Sequence, residues 1–388
     1  MDTRSSTQGL ATDDPRRRPT NDAAFKCIVV LIAIVLLLAG TVGWLLQREP
    51  TVAQPTGVVF QSGIEGRNIV REGFPEVDFR PLYPGMSSEA IDRLQRETFA
   101  VRYVYSPFVQ FRGLPMDTEF VQLTADGIRL PGRPQPFPPN PGDLSVFVFG
   151  GSTVFGNNLP PDQTLPAFIE RELKVLYPST NVVVYNFGCG YYYSSQERAL
   201  FDRLLERGIV PDVAIFVDGL NDFLTPLGIP KFTREYFQFS APDLGIPPEP
   251  VFEDDFQRRG AVRHLLKRYE QNVKLISATA EACGVTAIFV GQPVPYFAHT
   301  TDERIYPFRK ERALDKLCEW GYPTFAQRAI QESFGPRFIW AGDVFTDANE
   351  TMYSDSIHYS PAGARILARE IVTRAVARGL LSPAKRDS

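Results

Sequence analysis

The sequence predicts an α/β domain built in three layers, a parallel β-sheet with helices on both faces, carried behind a single membrane-spanning helix. Three observations lead there. From about residue 143 onward, short β-rich runs alternate with longer helical ones, the pattern of a parallel sheet covered on both sides. Residues 27–46 read CIVVLIAIVLLLAGTVGWLL, about twenty residues without a charge, which is the length that crosses a hydrocarbon core of about 30 Å as a helix. Between the two lies PGRPQPFPPNPGD, residues 131–143, whose prolines exclude helix and favour an extended linker.

The chain therefore divides into a cytoplasmic tail (1–26), a transmembrane helix (27–46), a membrane-proximal extension ending in the proline-rich linker (47–142) and a catalytic domain (143–388). Lys26 and Arg48 bracket the apolar segment, and Trp44 stands where an interfacial aromatic belongs. A cleaved signal peptide is the rival reading; it calls for a shorter apolar run and a small-x-small site, and no convincing one is present. Arg16, Arg17, Arg18 and Lys26 precede the span while Arg48 stands nearly alone behind it, so the N-terminus is expected in the cytoplasm and the rest outside, periplasmic or extracellular.

In the extension, FVQLTADGIRL reads as a hairpin turning at Asp126-Gly127. Strands are expected at 144–149, 181–187, 212–217, 285–290 and 337–342. Leu165, Phe168, Ile169, Leu173 and Leu176 fall on one helical face, as do Leu200, Phe201, Leu204 and Leu205 before the stop at Gly208. Further helices are expected at 256–283, 309–332 and 361–379, the last with Ser360 as N-cap. Residues 225–255 are longer than an ordinary connection and are expected over the active face.

Composition narrows the function. The chain is 44% hydrophobic and 22% charged, with a net charge of −4, so it lacks the basic surplus of a nucleic-acid binder. Cys27, Cys189, Cys283 and Cys318 show no CxxC pairing, which argues against a zinc site. No metal and no cofactor are expected. Cys283 and Cys318 read as two buried thiols, with a disulfide between them the alternative if the domain lies outside the cytoplasm.

Chemistry collects after the strands, as it does in open parallel sheets. The first strand ends in GGSTVFG, the second in NFGCGYYYSSQ, the third in DGLND, and the loop after the fifth contains DSIHYSPAG. Ser152 sits on a strand-to-helix turn where glycines permit close backbone approach; Gly-Gly-Ser alone is common in ordinary turns. Of the three histidines, only His358 has an acid, Asp355, three residues before it, and a carboxylate there can hold the imidazole in the tautomer a general base needs. His264 and His299 are better assigned to packing or solvent. Asn221 follows the third strand, where its amide can donate to a developing oxyanion beside the backbone N–H groups of Ser152 and of a glycine after the second strand.

In that order and placement, the chain resembles the SGNH/GDSL hydrolase superfamily over about residues 145–378. The resemblance carries the family's four named residues onto Ser152, Gly190, Asn221 and His358, with Asp355 as the triad acid. It implies a flavodoxin-like sheet of order 2-1-3-4-5 and a serine esterase activity. Two departures stand out: GGST replaces the usual Gly-Asp-Ser, and NFGCGYY is compressed, which leaves Gly188 as an alternative oxyanion donor to Gly190. An α/β-hydrolase would need Gly-x-Ser-x-Gly, where Val154 stands instead of the second glycine. GGSTVFG also lacks the spacing of a dinucleotide fingerprint.

The function expected is hydrolysis of acyl esters outside the cytoplasm, with an O-acyltransferase on the same site or a catalytically silent binding module as alternatives. The expected substrate is a small acyl group, acetyl above all, on a carbohydrate-like polymer, because an enzyme tethered outside meets polysaccharide and because Tyr191, Tyr192 and Tyr193 offer faces suited to sugar rings. Tyrosines used for core or rim packing are the plain alternative. Protease added to intact spheroplasts should digest the domain from the outside. A fully protected C-terminal tag, or a soluble chain beginning near Thr51, would overturn the anchor.

Overall fold

A computed structural model of the 388-residue chain describes residues 59–60, 66–226, 228–240, 251–295, 297–298, 303–308 and 316–381. The expected tail and membrane span, residues 1–46, lie outside the described residues, as does His299. Among the described residues, no helix is long and apolar enough to cross a membrane.

Strands β1 (Val59–Phe60), β2 (Tyr103–Ser106) and β3 (Gln110–Gly113) form a small antiparallel sheet, and β4 (Met116–Asp117) pairs with β5 (Gln122–Leu123). Then come the five strands expected from the sequence, each within about a residue or two of its expected place: β6 (Leu144–Gly150), β7 (Val182–Asn186), β8 (Val213–Asp218), β9 (Thr286–Gly291) and β10 (Phe338–Trp340). They pair in the order β10-β9-β8-β6-β7, all parallel. Numbered along the chain, that is the 2-1-3-4-5 order.

Alternation along the strands makes two apolar faces. On one, Val146, Val148, Val184, Ile215, Val217 and Ile288 pack with the helices Leu165–Leu176 and Pro361–Ala377. On the other, parallel register lines up Phe187, Phe149, Phe216 and Phe289 in a stacked row with ring centroids 5.4, 4.8 and 5.5 Å apart. Helices Ser194–Glu206, Asp255–Ala282 and Lys316–Ile330 cover that row. Offset and stacked aromatic pairs add about 0.5–1.5 kcal/mol each beyond their buried area. Ser360 caps its helix as expected, its Oγ accepting from the Gly363 N–H at 3.1 Å. Cys318 is buried, but Cys283 is exposed at the end of its helix, and no disulfide joins them. His264 is exposed on its helix.

The segment before Asp143 does not form a body of its own: residues Gly57–Ser388 make one compact unit. The reason lies in what it buries. Phe79, Tyr83, Ile91 and Leu94 complete the core on one face of the sheet. The hairpin turns at Asp126-Gly127 as expected, with Thr124 N donating to Ile128 O at 3.0 Å, and its return arm lies along β7, Arg129 N donating to Asn186 O at 3.0 Å. The proline-rich stretch, expected as a spacer, runs along the same strand. Gln135 Nε2 donates to Val184 O at 3.0 Å, and Tyr185 Oη donates to Pro136 O at 2.7 Å. An otherwise open sheet edge is thereby covered.

Arg129 is only 1% exposed. Its Nη1 donates to the carbonyls of Phe155 and Gly156, both at 2.6 Å, and its Nη2 donates to those of Phe120 at 3.0 Å and Leu159 at 2.7 Å. The guanidinium also lies over the Phe155 ring, 4.7 Å from its centroid. Burial pushes its pKa down to about 9, which leaves it charged at neutral pH. Methionine there leaves the Phe120 and Leu159 carbonyls without their donor, while those of Phe155 and Gly156 keep Asn186 Nδ2 and the Leu159 N–H, so Arg129→Met should cost about 2–5 kcal/mol in chemical denaturation. Arg129→Lys should fall between, because an ammonium cannot span the same fork of acceptors. A loss below about 1 kcal/mol for the methionine variant would mean the cluster contributes little.

Candidate active site

At the carboxyl end of β6 the chain turns at Gly151 into the single helical turn Ser152–Phe155. The strand's end sets the position of Ser152, and the loop after β10 brings the other two groups to it. His358 Nε2 lies 2.9 Å from Ser152 Oγ, and His358 Nδ1 lies 2.7 Å from Asp355 Oδ2. Because Nδ1 faces a carboxylate oxygen, it carries the ring proton, and Nε2 is left to accept from the serine hydroxyl. Ser152, Asp355 and His358, expected together from the sequence, are brought together.

Asp355 is 5% exposed and His358 7%. Burial raises the Asp355 pKa, but the His358 charge and hydrogen bonds from its ring, from its N–H and from the Ile357 N–H outweigh that, so the net shift is downward. Both backbone N–H groups reach Asp355 Oδ1 at 2.7 Å. The acid thus stays ionised. Phe99 sets its ring edge-on to the imidazole at 5.3 Å.

The Ser152 and Gly190 N–H groups have no protein acceptor among the described residues, and both residues line one cavity together with Asn221 and His358. Asn221 Nδ2 donates to Tyr192 O at 2.6 Å, which uses one of its two hydrogens and pins the amide between the loops after β7 and β8. The N–H of Gly188, the alternative donor, is given to Asn186 Oδ1 at 2.9 Å, and the residue packs against the backbone of Val154 and Phe155. The Gly-Gly-Ser departure has a cause as well. A Cβ at Gly151 would overlap the Asn221 amide.

Asp222, next to Asn221, accepts from Ser194 Oγ at 2.7 Å and Ser194 N at 3.2 Å, fastening the Asn221 turn to the segment that follows Gly190. Burial, and then the charge of Asp222, hold Asp218 well above the usual carboxylate range, and burial does the same to Glu197 beside it. Burial also pushes the Cys189 thiol up to about 12, so it stays neutral.

Two groups of site residues escaped the sequence reading. Asn158, fully buried with φ of 64°, donates from Nδ2 to Asp355 Oδ2 at 2.7 Å and to Ser354 Oγ at 3.2 Å. The Asn-Asn pair straight after the turn at Gly156 was its only signal, since asparagine is among the few residues that tolerate a left-handed backbone. The second group comes from the segment set aside as an extension. Ile69, Phe74, Phe99 and Tyr103 wall the cavity, and Tyr83 Oη donates to the Asn158 carbonyl at 2.9 Å. Nothing local marked them, because only the folded chain brings them to the serine. Of the long connection 225–255, the helix Lys231–Ser240 is described, and its Phe232 packs on Tyr103 and Tyr191; residues 241–250 lie outside the described residues.

A Cβ at Gly190 would overlap the Tyr103 hydroxyl, with the ring carbon Cζ behind it at 3.3 Å. Gly190→Ala should therefore cost about 1–3 kcal/mol in urea denaturation. Adding Tyr103→Phe should recover at least half, measured against Tyr103→Phe alone. No recovery would show that the hydroxyl is not the obstacle.

No family model matches the chain. A curated chloroplastic pentatricopeptide repeat-containing protein of Arabidopsis thaliana is 31% identical over 110 residues, 25% of this chain and only 16% of its own length, and the match carries no function over. Among solved structures, the chain is similar to an acetylxylan esterase from Geobacillus stearothermophilus, 15% identical, covering 63% of this chain and 98% of that one with a TM-score of 0.37. It is also similar to a lipase from a goat rumen metagenome, 14% identical over 62% and 100% of the two chains with a TM-score of 0.42. A third is a member of the lipolytic protein G-D-S-L family from Veillonella parvula, 12% identical over 59% and 96% with a TM-score of 0.35. These three solved structures are thus an acetylxylan esterase, a lipase and a lipolytic protein of the G-D-S-L family.

Proposed function

We propose that the protein is a serine-dependent acyl-ester hydrolase with Ser152 as nucleophile, His358 as general base and Asp355 as the acid that orients it. The observation that carries this reading is the hydrogen-bonded chain Asp355–His358–Ser152, 2.7 and 2.9 Å long, beside a cavity also lined by Gly190 and Asn221, the Ser152 and Gly190 N–H groups having no protein acceptor among the described residues. In the first half-reaction, Ser152 Oγ attacks the ester carbonyl while His358 Nε2 takes its proton. The oxyanion that forms is held by the N–H groups of Ser152 and Gly190 and the second amide hydrogen of Asn221. His358 returns the proton to the departing alkoxide. Water then attacks the acyl-serine by the same route and releases the acid.

Acyl transfer to an alcohol is the same chemistry with another acceptor in the second step, and the two differ only in what intercepts the acyl-enzyme. A carbohydrate-like alcohol finds support in Tyr191, 45% exposed at the cavity rim. Tyr192 and Tyr193 withdraw theirs, being 2% exposed with hydroxyls given to the carbonyls of Phe111 and Gly228. Action outside the cytoplasm, behind the anchor at 27–46, belongs to this proposal on the strength of the sequence.

Ser152→Ala and His358→Ala should each lower kcat for a short activated ester by several orders of magnitude, and the double variant should lose little more than either alone. A fluorophosphonate should label Ser152 and no other serine. Added sugar alcohols that collect acyl groups faster than water does would assign the transferase. Ser152→Ala with wild-type activity would end the mechanism.

A further inference from the structure

The cavity at Ser152 is larger and more apolar than an acetyl group requires. It encloses about 290 Å³, and a water-sized group takes about 30 Å³, so there is room for a chain of several carbons beyond the carbonyl. Its aliphatic and aromatic lining includes Ile69, Val70, Phe74, Leu220, Leu224 and Ile357. Among the described residues lining it, Asp355 and His358 are the only ones with ionisable acid or imidazole groups, both committed to Ser152, and no lysine or arginine reaches it. A charged acyl group has nothing to pair with there. A short polar one leaves apolar surface in contact with water.

The wall is also built to hold its shape. Asn68 caps the helix Ile69–Gly73, its Oδ1 accepting from Arg71 N at 2.9 Å. Its Nδ2 donates to Asp92 Oδ1 at 2.7 Å and Gln95 Oε1 at 2.8 Å on the helix Ser88–Phe99. The two helices that carry Ile69, Val70 and Phe99 are therefore locked together, and Phe74 is held edge-on to Phe308 at 5.0 Å. Leu224, the last residue of the short helix Leu220–Leu224, also lines the cavity.

We infer that this cavity is an acyl pocket for a linear, uncharged chain of about four to eight carbons, and that the N-terminal segment carrying Ile69 and Phe74 sets the chain length. The inference rests on the ester-hydrolase reading and revises its acyl group, since the sequence alone pointed to acetyl. Each methylene moved from water into such a wall multiplies kcat/KM by about four until the pocket is full. A chain longer than the pocket meets the Ile69–Phe74 wall and gains nothing more.

The test is a p-nitrophenyl ester series on the full-length protein in detergent, from acetate through butyrate, hexanoate and octanoate to dodecanoate. Hexanoate should exceed acetate at least tenfold in kcat/KM, and dodecanoate should fall below octanoate. Leu224→Trp and Ile69→Trp should each lower the hexanoate-to-acetate ratio at least tenfold, whereas Leu224→Ala should move the optimum to a longer chain. Fluorophosphonate labelling of Ser152 in each variant reports that the site is intact whatever the ester does. A profile that is flat or highest at acetate, or tryptophan variants that leave the ratio unchanged while Ser152 still labels, overturns the acyl pocket alone. No turnover of any ester together with no labelling of Ser152 overturns the hydrolase reading and this inference with it.

Discussion

Burying a guanidinium without a carboxylate partner is costly unless its N–H groups find acceptors, and Arg129 meets most of that demand with four carbonyls at Nη1 and Nη2, its Nε being buried without a partner among the described residues. Three of those carbonyls belong to residues 155–159, the stretch that leaves the nucleophile's helical turn and carries Asn158. The chain therefore cannot satisfy Arg129 without also folding that stretch back against the return arm of the hairpin. The Ser152 turn, the asparagine bonded to Asp355 and the N-terminal segment become parts of one buried polar cluster. Partial versions of such a cluster are penalised, because each missing partner leaves a desolvated polar group.

The same logic extends outward from Asn158. Its amide nitrogen donates to Asp355, its backbone N–H donates to Thr98 Oγ1 at 3.0 Å, and its carbonyl accepts from Tyr83. Thr98 and Tyr83 both lie in the segment before Asp143. The segment that walls the cavity and Asp355 are thus referenced to a single residue, so the cavity lining and the proposed catalytic groups keep a common frame. On the opposite side, Asp222 and Ser194 perform the equivalent service for Asn221 and the segment following Gly190. Hydrogen bonds with both ends buried hold such positions within the tolerance that attack on a carbonyl demands.

The β7 edge explains why the proline-rich stretch is as it is. Proline cannot extend a sheet by regular pairing, but Gln135 and the Pro136 carbonyl can still meet a strand's exposed groups singly. Composition marked residues 131–143 as non-helical, which they are, though they bend at 132–133 and 137–138 and turn at 141–142 rather than running straight. Whether an extended stretch separates two bodies or lies along one depends on the partners it meets.

What the sequence by itself determined is local and periodic. Short β-rich runs set the five strands, helical spacing set the covering helices, Ser360 and Asp126-Gly127 set a cap and a turn, and the segments after the strands gathered Ser152, Asn221, Asp355 and His358. Those features rest on neighbours within a few residues, where propensity and burial agree. Only the tertiary structure decided the rest: that Gly190 and not Gly188 leaves its N–H open, that Tyr192 and Tyr193 are core, that Asn158 orients the acid, and that residues 66–103 wall the site. Each depends on contacts between residues tens or hundreds of positions apart. Such contacts leave no period in the chain, because hydrogen-bond satisfaction and close packing are properties of the assembled interior.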